Sequence, residues 1–354
     1  MKKFMSLILI AALVIMPLSL VGCSPSENSP EQPDASTQQN SEQPAAAKKA
    51  FAVVAGDAIG DRGFTDMANE GIAKAAEEFG IEYKVFECHN DPTTYLDTIK
   101  AAASKYDVIL VVPGYFFDKE LETVQSSNPD KTFVYFDGVS GIKGVKSVQF
   151  SQNEGAFLAG VLAAKLTSDT SVEMINSDKK VGFVGGADMP VIRDYQAGFE
   201  QGVKYADPSV EVIAKYAGTH YDPATGKTTA FDVNKSGADV IFQAAGPTGL
   251  GVLEAAKTYN FIAIGVDTDQ GYLQPGFIVS SMLKRVDTAV YDVVKNICED
   301  KQLEDVSTYN VANEGINLAN NDEYNNTVPD SIKEAVTQAV EKIKSGEIKV
   351  NKYE

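Results

Sequence analysis

The sequence predicts an α/β protein of two lobes, each a parallel-rich sheet flanked by helices. Three observations lead there. From Ala50 onward, short β-branched runs alternate with amphipathic stretches, the pattern of parallel sheets covered on both faces. The alternation runs through two series, and one sheet of about ten strands would be unusual, so two sheets fit better. With 354 residues the chain is long enough for a large core divided between two lobes.

Before the first strand the chain reads as an export address. Lys2 and Lys3 form a charged start, and the run 4–21 is apolar. The run ends in Leu20-Val21-Gly22-Cys23, which looks like a bacterial lipobox: small residues before a cysteine allow cleavage, and the thiol of Cys23 takes the lipid. The alternative is an uncleaved anchor helix with a chance cysteine, since the run is just long enough to span a bilayer. Residues 1–22 are therefore assigned as a lipoprotein signal peptide. Residues 23–48, rich in Ser, Pro, Gln and Glu, are assigned as a disordered tether.

In the first series, strands are expected at 50–56, 82–88, 108–113, 132–137 and 145–150, with helices at 66–79, 92–104, 117–127 and 152–167. The second series has strands near 180–185, 210–217, 239–243 and 261–267 and helices near 191–205, 226–236 and 249–259. An apolar strand then runs over 276–283, a helix over 286–298, and a closing helix over 329–345 carries Ile332, Val336, Ala339 and Ile343 on one face. These elements give a first lobe of 49–152 plus 276–300, a second lobe of 153–275, and a closing segment of 301–354. No internal sequence repeat is evident.

Lys plus Arg is 31 and Asp plus Glu is 49, so the formal net charge is −18. A nucleic-acid partner would need a basic footprint, and none is expected. Lipidation takes one of the three cysteines; the other two, Cys88 and Cys298, could pair outside the cytosol but read rather as two ordinary buried thiols.

Catalytic chemistry is poorly supported. His89 and His220 are the two histidines; neither pairs convincingly with a Ser or Cys nucleophile, and no His/Cys cluster has metal-ligand spacing. Gly226-Lys227-Thr228 imitates the end of a phosphate loop, but Tyr221 stands where its first glycine should be. No enzyme activity, cofactor or metal is expected.

Binding chemistry is better represented. The stretch 56–66 (Gly-Asp-Ala-Ile-Gly-Asp-Arg-Gly-Phe-Thr-Asp) joins the first strand to the first helix, where open α/β sheets bind ligands. Polar residues recur at other strand ends: Tyr115, Asp137, Asp188, Gln243, Asp267 and Gln270, with Lys284 after the last apolar strand. Such carboxylates can accept hydrogen bonds from ligand hydroxyls, each charged bond worth roughly 1.5–3 kcal/mol, or can merely cap the next helix. The turn Gly246-Pro-Thr-Gly249 could present backbone N–H groups to a ligand or serve tight packing alone. Phe64 could stack on a flat ligand, or fold back on Met67 or Ala68 as a hydrophobic staple.

Several collinear motifs resemble the basic membrane protein family of bacterial lipoproteins: Asp61-Arg-Gly-Phe64, Phe150-Ser-Gln-Asn-Glu154-Gly, Gly237-Ala-Asp-Val-Ile-Phe242, Ala245-Gly-Pro-Thr-Gly249, Ile264-Gly-Val-Asp267 and Ser281-Met-Leu-Lys284. They span nearly the whole globule. The resemblance implies a two-lobed type I periplasmic-binding-protein fold with a ligand cleft between lobes, and a purine nucleoside receptor feeding an ABC permease. It also implies that Phe64 stacks on the base, Asp57 contacts the base, Asp267 binds ribose hydroxyls with Lys284 in support, and Asp137 is a further ligand acid. The second stacking aromatic is one of Tyr195, Tyr221 and Phe242. The family commonly has Asn after the stacking Phe; here Thr65, with a shorter hydroxyl, puts base preference in question.

The resulting expectation is a lipid-anchored, extracytoplasmic, monomeric solute-binding protein that closes on a nucleoside. The rival expectations are the same scaffold with riboflavin or a sugar-like ligand, and a surface lipoprotein without a transport role.

Overall fold

The computed structural model describes residues 49–353. The expected signal peptide 1–22, lipidation site Cys23 and tether 23–48 lie outside the described residues.

The chain begins with β1 (Phe51–Ala55), α1 (Phe64–Phe79), β2 (Tyr83–Glu87), α2 (Tyr95–Ala103) and β3 (Val108–Val112). Next come α3 (Asp118–Ser127), β4 (Thr132–Phe136), β5 (Lys146–Phe150) and α4 (Gln152–Thr167). The second series is β6 (Lys180–Gly185), α5 (Pro190–Ala206), β7 (Glu211–Tyr216), α6 (Pro223–Lys235), β8 (Val240–Ala244), α7 (Pro247–Tyr259) and β9 (Ile262–Asp267). The remainder is β10 (Ile278–Lys284), α8 (Val286–Cys298), β11 (Val306–Tyr309), β12 (Ile316–Leu318), α9 (Asp322–Thr327) and α10 (Asp330–Lys344).

These form two six-stranded sheets, ordered β11-β5-β4-β3-β1-β2 and β12-β10-β9-β8-β6-β7. The first is parallel throughout, and the second is parallel except for β12 against β10. Central strands such as β1, β3 and β8 are buried on both faces, which is why they read as unbroken apolar runs. Helix ends follow local chemistry. Gly80 closes α1 in the left-handed conformation (φ 60°) and donates to Ala76 O. Asp222 caps α6, accepting from Ala224 N and Thr225 N, with Pro223 at the first position.

Core residues lie in three groups. One runs continuously through both lobes along α1, α8, α4 and α5; separate groups lie under α2 and α3 and under α6 and α7. Helix α4 is buried almost all round, as a helix apolar on every face must be. It meets α5 backbone to backbone: a Cβ at Gly160 would stand 2.2 Å from Phe199 O, and one at Gly202 would stand 2.0 Å from Phe157 O.

The chain passes between lobes after β5, after β10, and again between β11 and β12. This corrects the assignment of 276–300 to the first lobe. Strand β10 pairs with β9, Met282 opposite Val266, so it completes the second sheet; only α8 returns, packing on α1. An apolar strand carries no mark of which sheet it will join. The closing segment 301–354 likewise divides, since β11 extends the first sheet and β12 the second. Cys88 and Cys298 are not bonded to each other; Cys88 is buried as expected, but Cys298, at the end of α8, is only half-buried.

Candidate functional site

In both sheets the strand order reverses beside one strand: β1 has β2 and β3 as neighbours, and β6 has β7 and β8. The crevice outside the strand C-termini at such a reversal is where open α/β sheets hold ligands. One cavity occupies this position and is lined from both sheets.

Its first wall is the loop between β1 and α1. The Asp61 carboxylate accepts from the backbone N–H groups of Gly63 (2.9 Å), Thr65 (2.8 Å) and Asp66 (3.1 Å), and so caps α1. Burial pushes the Asp61 carboxyl above its ordinary range, and these amides oppose the shift. The Asp66 carboxylate accepts in turn from Gly60 N and Arg62 N. The loop is thus bonded to itself, and Phe64 is fixed as the first residue of α1. Its ring is half-buried, edge-on to Phe150 at 6.5 Å between centroids, with one side in the cavity. It serves the core through Phe150.

Lys284, the last residue of β10, carries the cavity's cation. Its ammonium donates to Asp137 Oδ1 at 2.5 Å, and the two side chains are 2% and 5% exposed. The rings of Phe64, Phe150 and Tyr195 surround it, with centroids 5.1, 5.0 and 5.5 Å away. An ion pair this deeply buried is sustained by its geometry and by the ring faces rather than by water.

Asp137 follows β4 and Asp267 ends β9, equivalent positions in the two sheets. Both take a left-handed backbone, φ 72° and φ 66°, at a cost of about 1–3 kcal/mol each. That conformation turns each carboxylate towards the cavity they both line. Burial pushes the Asp267 carboxyl up to about 7, against the pull of Lys284; Asp137 and Asp61 add to the rise. No described residue donates a hydrogen bond to the Asp267 side chain. The phenols of Tyr115 and Tyr195 are held well above their usual range, chiefly by burial, and stay protonated.

Behind the cavity the two strand-end glutamines bond to each other. Gln270 Oε1 accepts from Val266 N (3.0 Å) and Gln243 Nε2 (3.1 Å), while Gln243 Oε1 accepts from Ala245 N (3.1 Å). This buried network fixes the turn at Gly246, whose φ of 54° suits glycine. Among the described residues no cluster of side chains could hold a metal ion, and no helix is long and apolar enough to cross a membrane.

Residues 48–354 match the family model for PnrA-like ABC transporter substrate-binding proteins, named Bmp. The chain belongs to the Bmp family. It is 31% identical over 325 residues to a Lactococcus lactis protein named ABC transporter nucleoside-binding protein BmpA, covering 85% of this chain and 88% of that one. Basic membrane protein D of Borreliella burgdorferi is 32% identical over 257 residues, 71% of this chain and 72% of its own. A solved ABC transporter solute-binding protein from Aeropyrum pernix superposes with a TM-score of 0.77 at 26% identity, covering 87% of this chain and 94% of that one. This Bmp protein is accordingly an ABC transporter substrate-binding protein with a small-molecule ligand and permease partners, and not an enzyme. Proteins of this kind work outside the cytoplasm.

Of the residues singled out from the Bmp sequence, Asp57, Phe64, Thr65 and Asp137 line the cavity from the first lobe. Tyr195, Tyr221, Gly246, Asp267 and Lys284 line it from the second. Phe242 does not. It is fully buried within β8, and its ring packs on α5, 5.5 Å from Phe199 and 6.4 Å from Tyr195 between ring centroids. Two positions from the strand end is already core. Three lining rings were not anticipated as ligand groups: Phe116, His220 and, beyond its strand-end position, Tyr115. His220 lies on the loop after β7, where no periodic pattern marks it.

Proposed function

We propose that this protein binds a purine nucleoside between its lobes and delivers it to the permease from a lipid anchor on Cys23. The observation that carries this reading is the cavity's pairing of the fixed ring of Phe64 with strand-end carboxylates from both sheets. Phe64 stacks on the base, a contact worth about 1–3 kcal/mol. Tyr195 or Tyr221 supplies the second ring from the opposite lobe. Asp57 and Thr65 meet the base, and Gly246 allows the backbone close to the ligand. Asp267 accepts from ribose hydroxyls; Lys284, with Asp137 on one of its three donors, turns another to a ribose oxygen. The nucleoside-binding name of the Lactococcus lactis relative agrees with this chemistry.

Ligand contacts from both lobes favour the closed arrangement, which a monomer presents to the permease. Calorimetric titration of the purified globule with inosine, guanosine, adenosine, riboflavin and ribose tests the ligand class. Heat with a nucleoside and none with riboflavin or ribose is expected; folded protein silent to every nucleoside overturns the reading. Replacing Cys23→Ser should move the full chain from the membrane to the soluble fraction.

A further inference from the structure

We propose that the cleft continues past the ribose into a second chamber that admits an uncharged substituent on the ribose 5′ carbon and excludes a phosphate there. The inference rests on the nucleoside reading above and extends its ligands from plain nucleosides to 5′-modified ones.

Geometry comes first. A second cavity adjoins the ligand cavity and shares Tyr115, Asp137 and Val191 with it. Asp137 stands at the sugar end, bonded to the Lys284 ammonium. The single carboxylate of Asp267 can accept from the vicinal 2′ and 3′ hydroxyls together. That leaves the 5′ end of the ribose free to carry an extension into the second chamber. Lys352 and Tyr353 form the chamber's outer wall, and their segment is fastened to both lobes. Tyr353 N donates to Asp194 Oδ1 at 2.7 Å, and Asn351 is bonded to Gln201 through its N (3.0 Å) and its O (2.9 Å). Val350 O accepts from Asn153 Nδ2 at 2.8 Å. Lys352 Nζ crosses to the first sheet and donates to Gln149 Oε1 at 3.3 Å.

The lining decides what fits. Phe150, Met189, Pro190 and Val191 give the chamber apolar surface. Asp118, Asp137 and Asp194 line it against one ammonium, that of Lys352. Asp118 Oδ1 accepts from the Tyr135 hydroxyl and Asp194 Oδ2 from Gln152 Nε2, each at 2.9 Å, so both carboxylates are held in place. Gln152 also lines the chamber and is 6% exposed, and its Oε1 has no partner among the described residues. The polar part of the wall is therefore rich in acceptors. A phosphate, an anion whose oxygens accept, would meet like charges and unpaired acceptors there. A thioether or short alkyl group carries no charge and buries its surface against Met189 and Val191.

The test is calorimetric titration of the purified protein with whichever of inosine, guanosine and adenosine binds most tightly, then with its 5′-methylthio and 5′-phosphate derivatives. The thioether is expected to bind within about threefold of the parent, and the phosphate at least about tenfold more weakly. Met189→Trp, which fills the chamber without touching the ligand cavity, should weaken the thioether about tenfold and leave the parent within about threefold. Met189→Phe serves should the indole not fit, and thermal unfolding of each apo protein is the control. A thioether weakened more than about threefold in the wild type overturns the chamber. So does a thioether bound equally by the wild type and a folded filled variant, or a phosphate bound as tightly as the parent. Each of these leaves nucleoside binding standing, whereas a wild type that binds no nucleoside overturns the ligand class itself.

Discussion

Strand for strand the second sheet repeats the first: β6 to β10 stand in the order of β1 to β5, and Asp267 closes β9 in the left-handed conformation that Asp137 adopts after β4. What the two sets of strand ends offer is different. On the first sheet Asp57, Asp61 and Asp137 already accept hydrogen bonds from an asparagine, from backbone amides and from Lys284. On the second, no described residue donates to Asp267, and His220 holds both ring nitrogens open. The acids of the first lobe are therefore already bonded within the protein, whereas the second lobe, beside its bonded Lys284 and glutamines, keeps Asp267 and His220 without a partner among the described residues. One strand order can supply either, because the sheet fixes where a loop begins and the loop's own hydrogen bonds decide what stays available.

The largest break in that comparison is at the pair joining the two lobes. Lys284→Met leaves Asp137 buried without its cation and should cost about 3–5 kcal/mol of folding stability by chemical denaturation. Replacing both, Lys284→Met with Asp137→Leu, should recover most of the loss. The next effect tests the uncommitted acid. The folded carboxyl of Asp267 titrates near 7, above its ordinary 3.8. Its contribution to stability is therefore full below about pH 4 and is lost as the pH rises through about 7. Asp267→Asn should thus raise the apo melting temperature more at about pH 8 than at about pH 5, while weakening nucleoside binding tenfold or more.

Phe64→Ala should weaken binding at least tenfold, about 1.4 kcal/mol, as read by calorimetry. The half-buried packing on Phe150 means the apo protein also loses about 1 kcal/mol. The smallest effect belongs to the bonded acids of the first lobe. Asp61→Ala removes the cap of α1 and should cost about 1 kcal/mol of stability; a tenfold loss of affinity without that cost would mean Asp61 contacts the ligand directly.

The repeat itself was invisible in the chain, since the lobes share topology and not residues. The strands were readable because each is a short apolar run bounded by turn chemistry, and 152–167 reads as a helix with the bounds that α4 has. The short β11, β12 and α9 escaped, having three to six residues and little periodicity. Within the site, acids and an aromatic at strand ends announce themselves, because polar residues after apolar runs need a reason. Phe242 misled because one more apolar ring in a strand looks the same whether its face meets a helix or a cleft. His220 could be found only in three dimensions, where the loop after β7 brings it to the cavity wall.

The close approach of α4 and α5 bears on how a saturation scan of this chain should be read. Any side chain at Gly160 or Gly202 would overlap the opposite helix's backbone carbonyl, so every substitution there forces two main chains apart. Such variants would drop out of any selection for uptake as completely as a mutated ligand contact, yet the cause would be lost protein rather than lost affinity. Abundance measured beside activity separates the two, and a ladder of intolerant positions along this helix pair marks a joint of the scaffold instead of a second binding surface.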